Sequence, residues 1–150
     1  MRISEILSSS VIKTDLKATD KYAAFKELIA LLSASGQVEN AAAAYNAVVE
    51  REEKMSTSII PRVALPHGKL KDMKNVALAL GVSKKGVEYD SMDGNPVNVI
   101  FLVISEEGKP ELHLNVLSGI SRLISEDDFV QALMNAASTE DTLRLITAQE

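Results

Sequence analysis

The 150-residue sequence contains no cysteine and no tryptophan, and it has only three tyrosines and three phenylalanines. The missing thiols exclude disulfides, thiolate zinc sites and cysteine nucleophiles within this chain. Because aromatic residues are scarce, Leu, Ile, Val, Ala and Met must fill the core. A chain of this length is long enough to bury a core, and we expect one domain over residues 1–150.

The chain also lacks an excess of basic residues, because its formal net charge is −5 at pH 7. An acidic balance without a Lys/Arg-rich tract argues against binding to nucleic acid or to an anionic membrane. No long apolar run or signal segment is present, so we expect no direct membrane insertion. The sequence predicts a cytoplasmic protein.

Helical periodicity marks the first and last thirds of the chain, and the middle third is rich in apolar runs. Predicted helices cover about residues 20–35, 41–54, 111–124, 126–136 and 140–148. The third of these helices is expected to have Pro110 at its first position. The N-caps of the other four are expected at Thr19 or Asp20, Asn40, Ser125 and Thr139. Predicted strands cover residues 63–65, 76–82, 86–89 and 97–104. Near-continuous apolar runs are typical of strands buried on both faces, so we predict an α/β sandwich with helices on both sides of the sheet.

The stretch Val63–Lys69 joins an apolar strand to a histidine. The strand is expected to stop at Pro66 and to present His67 at its end. His67 and His113 are the only histidines of the chain, and an unperturbed imidazole titrates near pH 6.5. They are therefore the natural candidates for chemistry near neutral pH.

The common catalytic motifs do not fit this stretch. Gly68-Lys69 is not a phosphate loop, because Val63 replaces the motif's first glycine and Leu70 replaces its Ser or Thr. No dinucleotide fingerprint, complete calcium loop or nucleophile elbow is present, and the histidines do not have zinc-site spacing. We expect no metal and no cofactor.

Three residues remain as candidates for a site that holds a phosphoryl group. His67 offers a nucleophile, His113 lies in an anion-favouring first helical turn, and Arg51 offers a fork of donors at the end of its helix. Each has a plainer alternative: an exposed loop histidine, a core-edge histidine bonded to a carbonyl, and a surface ion pair.

Five short motifs, in this order and at matching spacing, resemble the EIIA domain of the fructose/mannitol class in the bacterial phosphoenolpyruvate-dependent sugar phosphotransferase system. This class includes nitrogen-regulatory relatives. The motifs are Arg51-Glu52, Ser56-Thr57, Val63–Gly68, Asp93–Val97 and His113-Leu114. The resemblance implies a mixed sheet of about five strands flanked by helices. It also implies that His67 is phosphorylated and that His113 and Arg51 help to hold the phosphoryl group.

The same resemblance implies partners. The donor is expected to be the small phosphocarrier HPr or its nitrogen-branch counterpart. The acceptor in sugar transport is a cysteine of an EIIB domain, which must lie on another protein or chain because this one has no cysteine. The leading alternative is a nitrogen-regulatory binding module that docks to target proteins in a phosphorylation-dependent manner. An unrelated metal hydrolase is a third reading.

The loop before His67 departs from the family pattern. Ser58, Ile60 and Arg62 stand where the family has glycines, which permit a positive φ angle. Arg62 and Ser58 are further candidate phosphate contacts. For Arg62, a partner contact or a solvated loop arginine are the alternatives.

Overall fold

The computed structural model describes residues 2–58 and 60–150, which form six α-helices and five β-strands. The helices are α1 (Ile3–Ile6), α2 (Lys21–Ala34), α3 (Ala41–Lys54), α4 (Pro110–Ile124), α5 (Asp127–Asn135) and α6 (Thr139–Gln149). The strands are β1 (Ile12–Lys13), β2 (Val63–Ala64), β3 (His67–Leu70), β4 (Ala77–Val87) and β5 (Val97–Glu106). None of the helices in these residues is long and apolar enough to cross a bilayer.

The strands form one mixed sheet around the antiparallel pair β4 and β5. The short strand β1 pairs in parallel with β4. Strands β2 and β3 both pair in parallel with β5 and follow one another along its edge in one register, with Val63 opposite Val99 and His67 opposite Val103. This sheet confirms the predicted α/β class with five strands.

Helices cover both faces of this sheet. All consecutive residues of β5 from Val99 to Ser105 are buried, and neighbouring side chains of a strand point to opposite faces. Helices α2 and α3 pack against each other and against β4 and β3, whereas α4 and α5 pack against β4 and β5. The predicted sandwich of sheet and helices is therefore confirmed.

Several helix ends are set by local side-chain chemistry that the sequence predicts. Asp20 caps α2 by accepting a hydrogen bond from the Ala23 N–H, and Asn40 caps α3 in the same way. Pro110 occupies the first position of α4. The expected caps of α5 and α6 are each wrong by one residue: Glu126 precedes α5, and Ser138 caps α6.

Two strand predictions also need correction. The expected strands 76–82 and 86–89 are one strand, β4, interrupted by a bulge between Val82 and Val87, where Gly86 has a φ of 94°. The strand before His67 does not end the pairing. Although Pro66 has no N–H to donate, its carbonyl accepts a bond of 3.0 Å from the Val103 N–H, and pairing resumes at His67 as β3.

Candidate active site

His67 lies at the first position of β3 and its ring is held in one tautomer. The Nδ1 atom is 2.9 Å from the Leu65 carbonyl oxygen. Because a carbonyl oxygen only accepts hydrogen bonds, Nδ1 must carry the proton. In the neutral ring the lone pair is then on Nε2, so Nε2 is the nucleophilic atom.

The surroundings of His67 keep this ring neutral. Burial lowers the pKa of the imidazole below its ordinary value of 6.5, although the bond to Leu65 opposes this shift. The positive charges of Arg51 and Lys69 lower the pKa further, while the Glu52 carboxylate raises it. At neutral pH the ring therefore has a free nucleophilic nitrogen in a positively charged setting.

His113 lies beside His67 in the first turn of α4. The two ring centroids are 5.2 Å apart and the ring planes are tilted by 58°. The His113 Nδ1 atom is hydrogen-bonded to the buried Ser105 hydroxyl of β5, which fixes the ring orientation. When Ser105 donates this proton, the proton of the neutral His113 ring is on Nε2 and can be donated to an anion. Burial is the largest cause that lowers the pKa of His113 to about 4, and the neighbouring His67 ring and the Lys69 ammonium contribute to the same shift.

Arg51 lies in the last turn of α3 and lines the same pocket as His67. Its Nη1 atom donates a hydrogen bond of 2.9 Å to the Met55 carbonyl, which closes the end of the helix. Among the described residues, no carboxylate lies within ion-pair distance of Arg51. The alternative of a surface ion pair therefore has no support, and the guanidinium has further donors for a phosphoryl oxygen.

Lys69 is a candidate that the sequence reasoning did not select. It is two residues beyond His67 on β3, so both side chains are on one face of the strand. Its positive charge lowers the pKa of both histidines. Once β3 is known to begin at His67, Lys69 can be identified from the sequence, because alternate side chains of a strand lie on the same face.

A pocket of about 450 Å³ opens on one side of His67. Its walls come from the end of α3, the loop that follows, β2 and one face of α4. Most of the lining atoms are apolar, and the lining residues include Met55, Ile60, Leu65, Leu117 and Ile124. Such a pocket favours an apolar side chain of a partner over a free ion.

Ser58 and Arg62 have partners of their own elsewhere. Ser58 is buried, and its hydroxyl donates a bond of 2.9 Å to the Val63 carbonyl. Arg62 is exposed, and its Nη1 atom donates a bond of 2.8 Å to the Gln131 side chain of α5. The structure thus brings Arg51 and His113 to His67 but directs the side chains of Ser58 and Arg62 to other contacts.

A mixed sheet that brings two imidazoles and an arginine together at its edge is the arrangement of a phosphotransferase carrier domain. A profile of the family described as "Phosphoenolpyruvate-dependent sugar phosphotransferase system, EIIA 2" matches residues 5–149. The chain belongs to this family, as its sequence motifs predict, and it is a phosphocarrier of the phosphotransferase class.

Relatives by sequence come from both branches of the family. The chain is 31% identical over 150 residues to the fructose-specific EIIABC component of Bacillus subtilis and covers 24% of that protein's length. It is also 31% identical over 133 residues to a nitrogen regulatory protein of Bradyrhizobium diazoefficiens, covering 89% of this chain and 86% of the relative. The chain therefore corresponds to about a quarter of a transporter component and to most of a regulatory protein.

Solved structures give the same picture. The nitrogen regulatory protein IIA-Ntr of Neisseria meningitidis superposes with a TM-score of 0.88 at 30% identity, over 96% of this chain and 98% of that one. The mannitol IIA of Escherichia coli, solved in complex with phosphorylated mannitol IIB, has a TM-score of 0.82 at 19% identity, over 95% and 97% of the two chains. The second likeness shows the fold alone.

Proposed function

We propose that His67 is the residue that carries the phosphoryl group. Nε2 attacks the phosphorus atom of a phosphohistidine donor, so that one P–N bond breaks in the donor and one forms on His67. The His67 proton stays on Nδ1, bonded to Leu65, throughout the transfer. The observation that supports this step most directly is the 2.9 Å contact between Nδ1 and the Leu65 carbonyl, because it leaves Nε2 free.

Phosphoryl transfer is accelerated mainly by cations and hydrogen-bond donors that stabilise the negative charge on the transferred group. We assign this task to Arg51 and His113, which flank His67, and we add Lys69 from the same face of β3. Arg51 offers its remaining guanidinium N–H groups. His113, neutral because its pKa is about 4, offers a ring N–H when Ser105 donates to its other nitrogen.

The partners we propose follow from the family. The donor is HPr or its nitrogen-branch counterpart, and the acceptor is a cysteine of an EIIB domain on another protein or chain. Support for an EIIB partner comes from the mannitol IIA of Escherichia coli, which forms a complex with phosphorylated mannitol IIB. The apolar pocket beside His67 gives such a partner a place to contact. Both transfers place this chain in the cytoplasm.

A regulatory role is the second candidate. In this reading, phosphorylation of His67 adds a charge of about −1.5 to −2 at a docking surface and changes which target proteins bind. The match over nearly the full length of the nitrogen regulatory proteins, including 98% of the Neisseria chain, favours this candidate. The 31% identity to a fructose component favours sugar transport equally.

Phosphotransfer with purified components tests both candidates. The protein is incubated with phosphoenolpyruvate, with the first enzyme of the system and with either HPr or its nitrogen-branch counterpart. We expect acid-labile phosphate on the wild type and none on His67→Ala. Faster labelling by HPr supports sugar transport, and faster labelling by the other donor supports regulation. Label retained on His67→Ala overturns the assignment of His67.

A further inference from the structure

Glu52 is a buried carboxylate next to Arg51, and the phosphoryl site as described does not use it. Its side chain faces the interior and the residue is only 3% exposed. Burying a charged carboxylate is unfavourable unless hydrogen bonds and a counter-charge replace its water. The structure supplies these replacements from three different parts of the chain.

The Glu52 carboxylate is held by Thr57, Tyr89 and Lys21. The Thr57 N–H donates to Glu52 Oε2 at 3.0 Å, and the Thr57 hydroxyl donates to Oε1 at 2.6 Å. Because that hydroxyl has a single proton, Tyr89 is the donor in its own 2.7 Å contact with Thr57 Oγ1, and it shares this proton with Glu52 Oε1 at 3.3 Å. The Lys21 ammonium lies 3.6 Å from Oε2 and provides the counter-charge.

Thr57 connects this carboxylate to the His67 ring. The Thr57 carbonyl accepts a bond of 3.1 Å from the Leu65 N–H. The Leu65 carbonyl in turn accepts the bond from His67 Nδ1. Three successive contacts therefore lead from Glu52 through Thr57 and Leu65 to the nitrogen that sets the His67 tautomer.

The same loop holds the guanidinium. Arg51 donates to the carbonyl of Met55, which is two residues before Thr57. If the carboxylate releases Thr57, the loop loses this anchor, and Thr57 no longer holds the backbone at Met55 and Leu65 in place from that side. The Glu52 carboxylate thus helps to position both the nucleophile, His67, and the guanidinium of Arg51.

We propose that Glu52 is a positioning residue for phosphoryl transfer: it anchors Thr57, and through Leu65 and Met55 it fixes the His67 tautomer and the Arg51 guanidinium. This inference rests on the proposed function, because it assigns Glu52 a part in the same transfer. Glu52 does not contact the phosphoryl group itself. Its effect is on the geometry from which His67 reacts, and small misplacements of reacting groups lower rates strongly.

The test uses Glu52→Gln, which keeps the shape of the side chain but removes its charge. The amide NH₂ group of glutamine then faces one of the two Thr57 donors, so one of these hydrogen bonds is lost. Glu53→Gln is the matched control, since Glu53 is the exposed neighbour on the same helix. We expect Glu52→Gln to be phosphorylated roughly tenfold to hundredfold more slowly at saturating donor, with little change in the donor concentration for half-maximal rate. Glu53→Gln should match the wild type.

Nitrogen-15 NMR of His67 supplies a readout that needs no phosphotransfer. The wild type should show protonated Nδ1, whereas Glu52→Gln should show a mixture of both tautomers. Tyr89→Phe, which removes one donor from the network, should change both readouts in the same direction by a smaller amount, and it keeps the test available if Glu52→Gln does not fold. Wild-type rates and a wild-type tautomer in a folded Glu52→Gln protein overturn the positioning role. A wild type that shows the expected tautomer but accepts no phosphate overturns the proposed function instead.

Discussion

Gly68 lies directly against Ala47, so that a Cβ atom at position 68 would be 3.0 Å from the Ala47 Cβ and backbone carbonyl carbon. This contact brings β3 close to α3 and places His67 near Arg51. The small residues on this side of α3 are what allow the helix to approach the strand.

Substitution of Gly68 by Ala should therefore disturb both stability and the site. Because the obstructing atoms are backbone and a Cβ that cannot rotate away, we expect a loss of about 1–3 kcal/mol in the free energy of unfolding. Phosphorylation of His67 should slow as well. Gly119→Ala in α4 is the control, since its added Cβ meets the end of the Ile3 side chain at 3.2 Å, which can move. Urea unfolding measures the difference, and equal stabilities of the two variants would contradict this account of the contact.

The lowered pKa of His113 predicts an acid-dependent loss of stability. Between pH 6.5 and about 4 the folded protein binds fewer protons at His113 than the unfolded chain does. The free energy of unfolding should therefore fall as the pH decreases through this window, by at most about 1.4 kcal/mol per pH unit, and the loss should level off below it.

Urea unfolding of the wild type and of His113→Gln between pH 4 and 8 isolates this contribution, because all other titrating groups are common to both proteins. The stability difference between them should change with pH between about pH 6.5 and 4 and stay constant at higher pH. A difference that is independent of pH would contradict the lowered pKa.

The apolar pocket predicts that Met55 contacts the partner. This side chain lines the pocket and the residue is 56% exposed, so Met55→Asp should leave the stability nearly unchanged. It should slow phosphotransfer from the donor roughly tenfold, because a partner's apolar group would meet a charge. Met92→Asp is the matched control, since Met92 is 72% exposed in the turn between β4 and β5 and does not line the pocket. Equal transfer rates for the two variants would rule out docking at this pocket.

Arg62 has a φ of 70°, in the region that favours glycine. Arg62→Gly and Arg62→Ala both lose the bond to Gln131. The difference between their free energies of unfolding therefore measures the cost of the positive φ angle. We expect the glycine variant to be more stable by about 1 kcal/mol. Both should be phosphorylated at wild-type rates, because the guanidinium is directed to α5. Slow phosphorylation of both variants would restore Arg62 as a phosphate contact.

Local sequence signals were sufficient for most of the fold. Asp20 and Asn40 set helix starts through hydrogen bonds to residues nearby in the chain, and Pro110 does so through its fixed φ angle, so the sequence predicts all three. The apolar run of β5 predicts a strand covered on both faces. The departure from the family's glycines has a structural consequence at one of the three positions. Among the described residues of this loop, only Arg62 has a positive φ angle.

The features that sequence reasoning missed depend on distant residues. Glu52 is buried among Thr57, Lys21 and Tyr89, and Tyr89 is 37 positions away in the sequence, whereas a carboxylate in a charged helix end is normally exposed. The strand β3 exists because β5 lies beside it, whereas Pro66 alone predicts an end to the strand. Lys69 was overlooked for the same reason, since its place beside His67 follows from that strand.

We propose that the phosphoryl group is attached to Nε2 of His67 while Nδ1 keeps its proton. Nitrogen–phosphorus NMR of the phosphorylated, nitrogen-15-labelled protein measures this directly. We predict a direct coupling between phosphorus and Nε2 of His67, with the Nδ1 proton still bonded to the Leu65 carbonyl. Coupling to Nδ1 of His67, or to either nitrogen of His113, would contradict it.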